Sequence, residues 1–322
     1  MSDYLLVQAS AHAIPLRDES VQCVVTSPPY WGLRQYAGEQ TVAWADGTTA
    51  PLGLEPTPEA YVEHMVEVFR EVRRVLRPDG TLWLNLGDSY AGSWGAQGRT
   101  GQMADRSVVS ARQIAEHPQF GGRTGARGIG GPLGLKPKDL MMLPFEVARA
   151  LRIDGWWVRS DIVWHKPNPM PESVTDRPTR AHESMFLLTK SERYFYDADP
   201  IREAVAESSI QRVSQNGGHP KFESARERTA GGGGRQTLNP AQLVPEAGRN
   251  ARTVWTIPTR PYPGAHFATY PEELVEPCIK AGSRPGDVVL DPFNGSGTTG
   301  RVALRHGHRE VDHSGIGQAT LF

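Results

Sequence analysis

Covalent staples are nearly absent from this 322-residue sequence, which holds only two cysteines, Cys23 and Cys278. Two thiols exclude a disulfide scaffold and a cysteine-rich zinc site, and their apolar neighbours read as two reduced core cysteines. Long hydrophobic runs are also missing, and the first residues, MSDYLLVQAS, lack the basic start of a signal peptide. Neither a membrane span nor export is therefore expected, and the sequence reads as cytoplasmic. An excess of one charge is missing as well: the formal net charge is −1, so total charge announces no polyanionic partner. Metal-ligand spacing is absent too. His165 and His182 share a proline-punctuated loop without a third ligand, and no metal is expected.

What the whole chain lacks in charge, two stretches supply locally. Residues 91–138 carry seven Arg/Lys against two acids, together with eleven glycines. Residues 201–260 carry nine Arg/Lys against five acids and include GGGGRQ. Both are too poor in apolar residues to build cores of their own. They read either as solvated loops or as basic arms reaching for a polyanion.

The rest alternates between strand and helix patterns. YLLVQAS and VQCVV read as short strands. TPEAYVEHMVEVFREVRRVL reads as a helix capped by Thr57, with Pro58 at its first position and Val62, Val66, Phe69, Val72 and Leu76 along one face. RPDG is expected to end it, and TLWLNLG to form a buried strand. LMMLPFEVARALRIDG followed by WWVRSDIVWHK repeats the order, as does PEELVEPCIKAGSRPGD followed by VVLDPF. This alternation predicts an α/β fold with a doubly wound, mostly parallel sheet.

Two motifs carry chemistry. In VVTSPPYWG an apolar strand runs into Ser27, Pro28, Pro29 and Tyr30. Proline fixes φ and donates no N–H, so the pair stops a sheet ladder and leaves a stiff turn with two free carbonyls, a hydroxyl and a ring. In VVLDPFNGSGTTG a strand meets Asp291, then a glycine turn, then a helix from Thr298. Gly295 and Gly297 allow close approach of a ligand to the backbone, and the helix N-terminus offers N–H groups. A P-loop is excluded because no Lys follows the glycines. Gly295, Gly297 and Gly300 spell GxGxxG, but no clean acidic residue follows at the distance a dinucleotide site needs. A nucleoside without pyrophosphate but with a charged amino-acid group remains, and that ligand is S-adenosylmethionine.

The pairing of TSPPY with DPFNGSGTTG resembles the amino-group DNA methyltransferases, which methylate cytosine N4 or adenine N6. Four blocks carry the resemblance across most of the chain: residues 5–36, 75–90, 160–197 and 266–300. Catalytic motif first and cofactor motif last is similar to the β-type order of restriction-modification and phage enzymes. The resemblance implies a Rossmann-like, S-adenosylmethionine-dependent methyltransferase fold with a circularly permuted motif order and inserted basic segments. It divides the chain into a catalytic-motif half (1–90), a flexible basic insertion (91–135), a continuation (136–198), a target-recognition segment (199–253), a cofactor-binding half (254–310) and a tail (311–322).

By the same resemblance, the Ser27 hydroxyl and Pro28 carbonyl accept the target amine's hydrogens, Pro29 stiffens the turn and Tyr30 stacks on the base. Trp31 reads either as a second pocket wall or as a core residue. Phe267, Pro271, Asp291, Pro292, Phe293, Gly295, Gly297 and Thr298 match cofactor positions. Arg177, Arg180, Arg226, Arg228 and Arg235 are the candidate DNA contacts. Double-stranded DNA is the expected partner, with a cognate restriction endonuclease beside it. A Ser before Pro-Pro-Tyr favours cytosine N4 over adenine N6. Finally, QATLF resembles the short peptide by which replication proteins dock on the bacterial sliding clamp, through Gln318, Leu321 and Phe322; a frayed end is the plainer reading.

Two departures from the pattern stand out. Ala9-Ser10 occupies the place of an expected Gly-Asp, and REVDHSGIGQATLF is polar where an apolar strand ending in a ribose-binding acid is expected, with Asp312 two residues early. They leave open a DNA-binding relative with impaired cofactor use. A nicotinamide dehydrogenase is disfavoured by TSPPY and by the lack of a catalytic His–acid arrangement.

Overall fold

A computed structural model describes residues 4–7, 9–32, 41–91, 136, 138–205, 248–260 and 270–313. The chain divides into two compact units, one made of Met1–Tyr196 with Thr253–Phe322 and the other of Asp197–Arg252.

The first unit is built on an eight-stranded sheet. Its strands are β1 (Tyr4–Val7), β2 (Val21–Thr26), β5 (Leu76–Leu86), β6 (Trp157–His165), β7 (His182–Thr189), β8 (Val254–Thr256), β9 (Val288–Asp291) and β10 (Arg309–His313), and the two-residue strands β3 (Val42–Ala43) and β4 (Thr49–Ala50) form a separate hairpin. The spatial order is β1-β10-β9-β2-β5-β7-β6-β8. All neighbours from β1 to β5 are parallel, and only β7 runs against its neighbours β5 and β6. β2 is buried at all six positions, as a parallel strand covered on both faces should be.

Four helices are described: α1 (Pro58–Val75), α2 (Leu143–Ile153), α3 (Glu272–Gly282) and α4 (Thr298–Arg305). Thr57 caps α1 by accepting from the Ala60 N–H at 3.1 Å, with Pro58 at the first helical position. The buried stripe of α1 is Tyr61, His64, Met65, Val68, Phe69, Val72 and Val75. Val62 and Val66, expected on that stripe, are only half-buried, because Tyr61 and Met65 set the packing face. The RPDG segment lies within β5 rather than ahead of it: Val21 pairs with Leu76 and Cys23 with Thr81, so the extra residues bulge out between the pairs.

A strand does form where the polar tail gave no apolar signal. β10 fits between β1 and β9, with Glu310 opposite Val289 and Asp312 opposite Asp291. Parallel neighbours on both sides supply its ladder, and it crosses the expected boundary at residue 310. Cys23 and Cys278 are buried free thiols, and burial pushes the Cys23 thiol up to about 12.

In the second unit, Glu203 and Arg249 pair in an antiparallel bridge, and the Glu203 carboxylate meets Arg249 at 2.9 Å and Arg252 at 2.8 Å. Gly248, at φ +84, lets the strands close, since a Cβ there would lie 2.5 Å from the Glu203 carbonyl.

Candidate active site

The parallel run β9-β2-β5 places three strand ends on one edge: Asp291, the Ser27–Tyr30 turn and Gly87. Ligands of open α/β sheets bind at such an edge. Because β7 is antiparallel to β5, with Leu86 opposite Ser184, the start of β7 arrives at the same edge, and the end of β6 returns there with His165 opposite His182.

Tyr30 is held at its hydroxyl. It donates toward Asn85 Oδ1 at 2.9 Å and Glu183 Oε2 at 3.1 Å, and the Ser27 hydroxyl lies 3.1 Å away. Ser27 also reaches Asn85 Oδ1 at 3.2 Å. Asn85, buried on β5, is itself fixed by donating to the Ser184 carbonyl at 3.2 Å. The other Glu183 oxygen is paired with Lys166, whose ammonium lies 4.2 Å from the Trp164 ring centroid. Burial and the neighbouring Glu183 charge hold the Tyr30 phenol well above its ordinary value, so it stays a donor. One side of the ring rests on Gly87: a Cβ there would sit 2.5 Å from Tyr30 Cε2.

The turn's two carbonyls differ. Tyr61 donates to the Pro29 carbonyl at 3.0 Å, so that oxygen is not free as the sequence suggested. Among the described residues no partner takes the Pro28 carbonyl. Trp31 belongs to the core at 2% exposure, with its indole N–H donating to the Glu55 carbonyl at 2.9 Å, and it is no pocket wall.

Beside this turn, Asp291 ends β9 at 2% exposure. Its Oδ1 accepts from Thr26 Oγ1 at 2.6 Å and the Phe293 N–H at 3.0 Å, and its Oδ2 from the Tyr270 hydroxyl at 2.7 Å and Thr299 Oγ1 at 3.0 Å. Burial raises this carboxyl's pKa, and the four donors oppose that rise. Asp291 thus ties the end of β2 to the glycine turn. Gly297 is the left-handed residue (φ 70°, ψ 30°) that opens α4, and no side chain caps the helix there. Its first-turn N–H groups suit a carboxylate, the group a free amino acid presents. Thr298, Pro292 and Pro271 are buried next to this turn or at the start of α3, and Phe293 packs against the core.

A family model described as DNA methylase matches residues 21–316, which includes both turns. The chain belongs to that family. Among related DNA methylases, Type II methyltransferase M.Cfr9I of Citrobacter freundii is 43% identical over 292 residues, covering 91% of this chain and 76% of its own length. The solved PvuII DNA methyltransferase (cytosine-N4-specific) shares the fold at a TM-score of 0.57 and 17% identity, over 97% of this chain and 82% of that one. A DNA modification methylase of Thermus thermophilus, TTHA0409, solved in complex with S-adenosyl-L-methionine, does so at 0.51 and 21%, over 96% and 87%. The Rossmann-like methyltransferase fold read from the two motifs is the fold of this DNA methylase.

Of the basic candidates, Arg177 stacks 3.9 Å from the Tyr90 ring centroid and pairs with Glu172 at 2.7 Å. Arg180 lies 3.5 Å from the buried Asp88 carboxylate, which also accepts the Leu143 N–H at the start of α2. Arg226, Arg228, Arg235, Phe267, Gln318, Leu321 and Phe322 lie outside the described residues. In place of the expected acid after β1, Ser10 Oγ meets His12 Nδ1 at 2.7 Å. No cluster of three or more metal-type ligands and no helix long and apolar enough to cross a membrane occurs among the described residues.

Sequence reasoning missed Asn85, Glu183, Lys166 and Tyr270. Asn85 follows the apolar run TLWL and Glu183 follows a histidine, so neither has a local signal; strand pairing alone brings them to Tyr30.

Proposed function

We propose that this DNA methylase transfers the methyl group of S-adenosylmethionine to cytosine N4 in double-stranded DNA, with the target base flipped into the Ser27–Tyr30 turn. The observation that carries this reading is the Thr26–Asp291 bond of 2.6 Å, which makes the amine-accepting turn and the glycine turn neighbours. The bound cofactor supplies an electrophilic methyl on a sulfonium. Gly297 and the uncapped start of α4 would hold its amino-acid end, with Pro271, Pro292, Phe293, Gly295, Thr298 and Phe267 around it. Asp291, whose oxygens are taken up internally, braces this cradle rather than binding the ligand directly.

An exocyclic amine is a poor nucleophile because its lone pair is delocalised into the ring. Acceptance of its hydrogens by Ser27 Oγ and the Pro28 carbonyl favours a pyramidal nitrogen with its lone pair aimed at the methyl. Asn85 and Glu183 fix Ser27 and Tyr30 in advance, so little reorganisation accompanies reaction. Tyr30 supplies a face for the base, and flipping costs a few kcal/mol. Once methylated, the nitrogen carries an acidic proton, and no strong base is needed. Cytosine is favoured over adenine N6 because Ser27, not an acid, precedes the prolines. Arg177, Arg180 and the basic segment with Arg226, Arg228 and Arg235 are proposed to meet phosphates.

The kinship with Type II methyltransferases supports a cognate restriction endonuclease as a functional partner. The test is incubation of the purified protein with S-adenosylmethionine and duplex DNA, then digestion to nucleosides and mass spectrometry. N4-methylcytosine is expected; N6-methyladenine would overturn the choice of base, and no methylated nucleoside would overturn the activity.

A further inference from the structure

Away from the proposed site, a buried ionisable cluster surrounds His64. His64, on α1, is 2% exposed, and the Glu55 side chain is fully buried. His64 Nδ1 stands 3.1 Å from Glu55 Oε1, and Nε2 stands 3.3 Å from Asp46 Oδ2. The ring stacks on Trp44, with centroids 4.1 Å apart and planes 9° from parallel. An imidazole with a carboxylate at each nitrogen can donate to both only as the imidazolium. Glu55, shut off from water, needs that positive charge beside it.

Glu55 in turn reaches the catalytic turn. Its Oε2 accepts the Gly53 N–H at 2.9 Å, and the Gly53 carbonyl accepts the Gly32 N–H at 2.9 Å. The Glu55 carbonyl takes the Trp31 indole N–H. Gly53 sits tight against the turn at φ +91, where a Cβ would lie 3.1 Å from Pro29 Cβ. Tyr61, three residues before His64 on the same buried stripe of α1, donates to the Pro29 carbonyl. One helix therefore grips the turn twice, once directly and once through Glu55.

We propose that His64 is a positioning residue for methyl transfer, its imidazolium locking Glu55 and thereby the turn that presents Ser27 and Tyr30. The inference rests on the reading of that turn as the target-base site. Burial alone would lower the His64 pKa, but Glu55 and then Asp46 outweigh it and raise the group above its ordinary 6.5. Two other titratable groups stand nearby: Glu67, which accepts the Ala45 N–H, and His12, 5.7 Å from Trp44 across the stack. A folded pKa above the unfolded one means that the stabilisation is complete below pH 6.5 and is lost as pH rises through the folded value.

The experiment compares wild type with the His64→Ala, Glu55→Gln and Ser27→Ala variants of the full chain. It measures the single-turnover methyl-transfer rate on duplex DNA from acid to alkaline pH, together with S-adenosylmethionine affinity. Wild-type rate should fall on the alkaline side. His64→Ala should lose about tenfold in rate at acidic pH with unchanged cofactor affinity. Glu55→Gln keeps an acceptor for Gly53 and gains a donor for neutral His64, so it should retain the acidic rate and lose the alkaline fall. An unchanged alkaline fall in Glu55→Gln, or a normal rate in His64→Ala, would overturn the proposal. Should His64→Ala fail to fold, the Glu55→Gln profile still decides. Failure of the underlying reading looks different: Ser27→Ala would then transfer methyl groups normally.

Discussion

The Thr26 hydroxyl donates to Asp291 Oδ1 at 2.6 Å, joining two residues 265 positions apart in the sequence. Asp291 also holds Thr299 and Tyr270, so one buried carboxylate registers the catalytic strand, the glycine turn and the segment entering α3. The two halves of a permuted sequence become a single site through this group.

Asp291→Ala should therefore act on stability first. It strands two buried hydroxyls and a backbone N–H, at a cost of about 3 kcal/mol. Chemical denaturation should show this loss, and cofactor affinity should fall with it. Full stability with lost affinity would return Asp291 to direct ligand binding.

Gly297→Val should abolish cofactor binding. Its positive φ is strained for any β-branched side chain, and the first N–H groups of α4 would be misdirected. Calorimetric titration should detect no binding, whereas DNA binding by electrophoretic shift should persist. Loss of both would indicate a fold defect.

Glu183→Ala removes the acceptor that pins Tyr30 and leaves Lys166 without its carboxylate. The transfer rate should fall by about tenfold with little change in cofactor affinity. Glu183→Gln, which keeps an acceptor for Tyr30, should retain more activity than the alanine variant. Equal rates in the two variants would deny the hydrogen bond any part in positioning.

The local signals in the sequence were accurate at both turns and at the start of α1. Proline and glycine dictate backbone geometry without help from distant residues, and Thr57 with Pro58 is a self-contained cap. Signals failed where register decides. Glu183 reaches Tyr30 from 153 residues away because β7 runs antiparallel to β5, a reversal no composition announces. β10 was obscure because its ladder comes from two neighbours rather than from its own apolar residues. Trp31 looked equally suited to pocket and core until Glu55 claimed its N–H.

A peptide of the last ten residues should bind a bacterial sliding clamp at about micromolar strength, as short tethered motifs with two apolar anchors do. Changing Leu321 and Phe322 to Ala should remove binding, with methylation of free DNA unaffected. Calorimetry showing no heat, and no competition with a known clamp ligand, would remove the clamp from the set of partners.

The most direct test of the account is the pair of variants Ser27→Ala and Tyr30→Ala, measured for single-turnover methyl transfer and for S-adenosylmethionine affinity. The account predicts a loss of about a hundredfold or more in transfer, on the order of 3 kcal/mol, with cofactor affinity preserved. Near-normal transfer by either variant on duplex DNA, or a parallel collapse of cofactor binding, would contradict it.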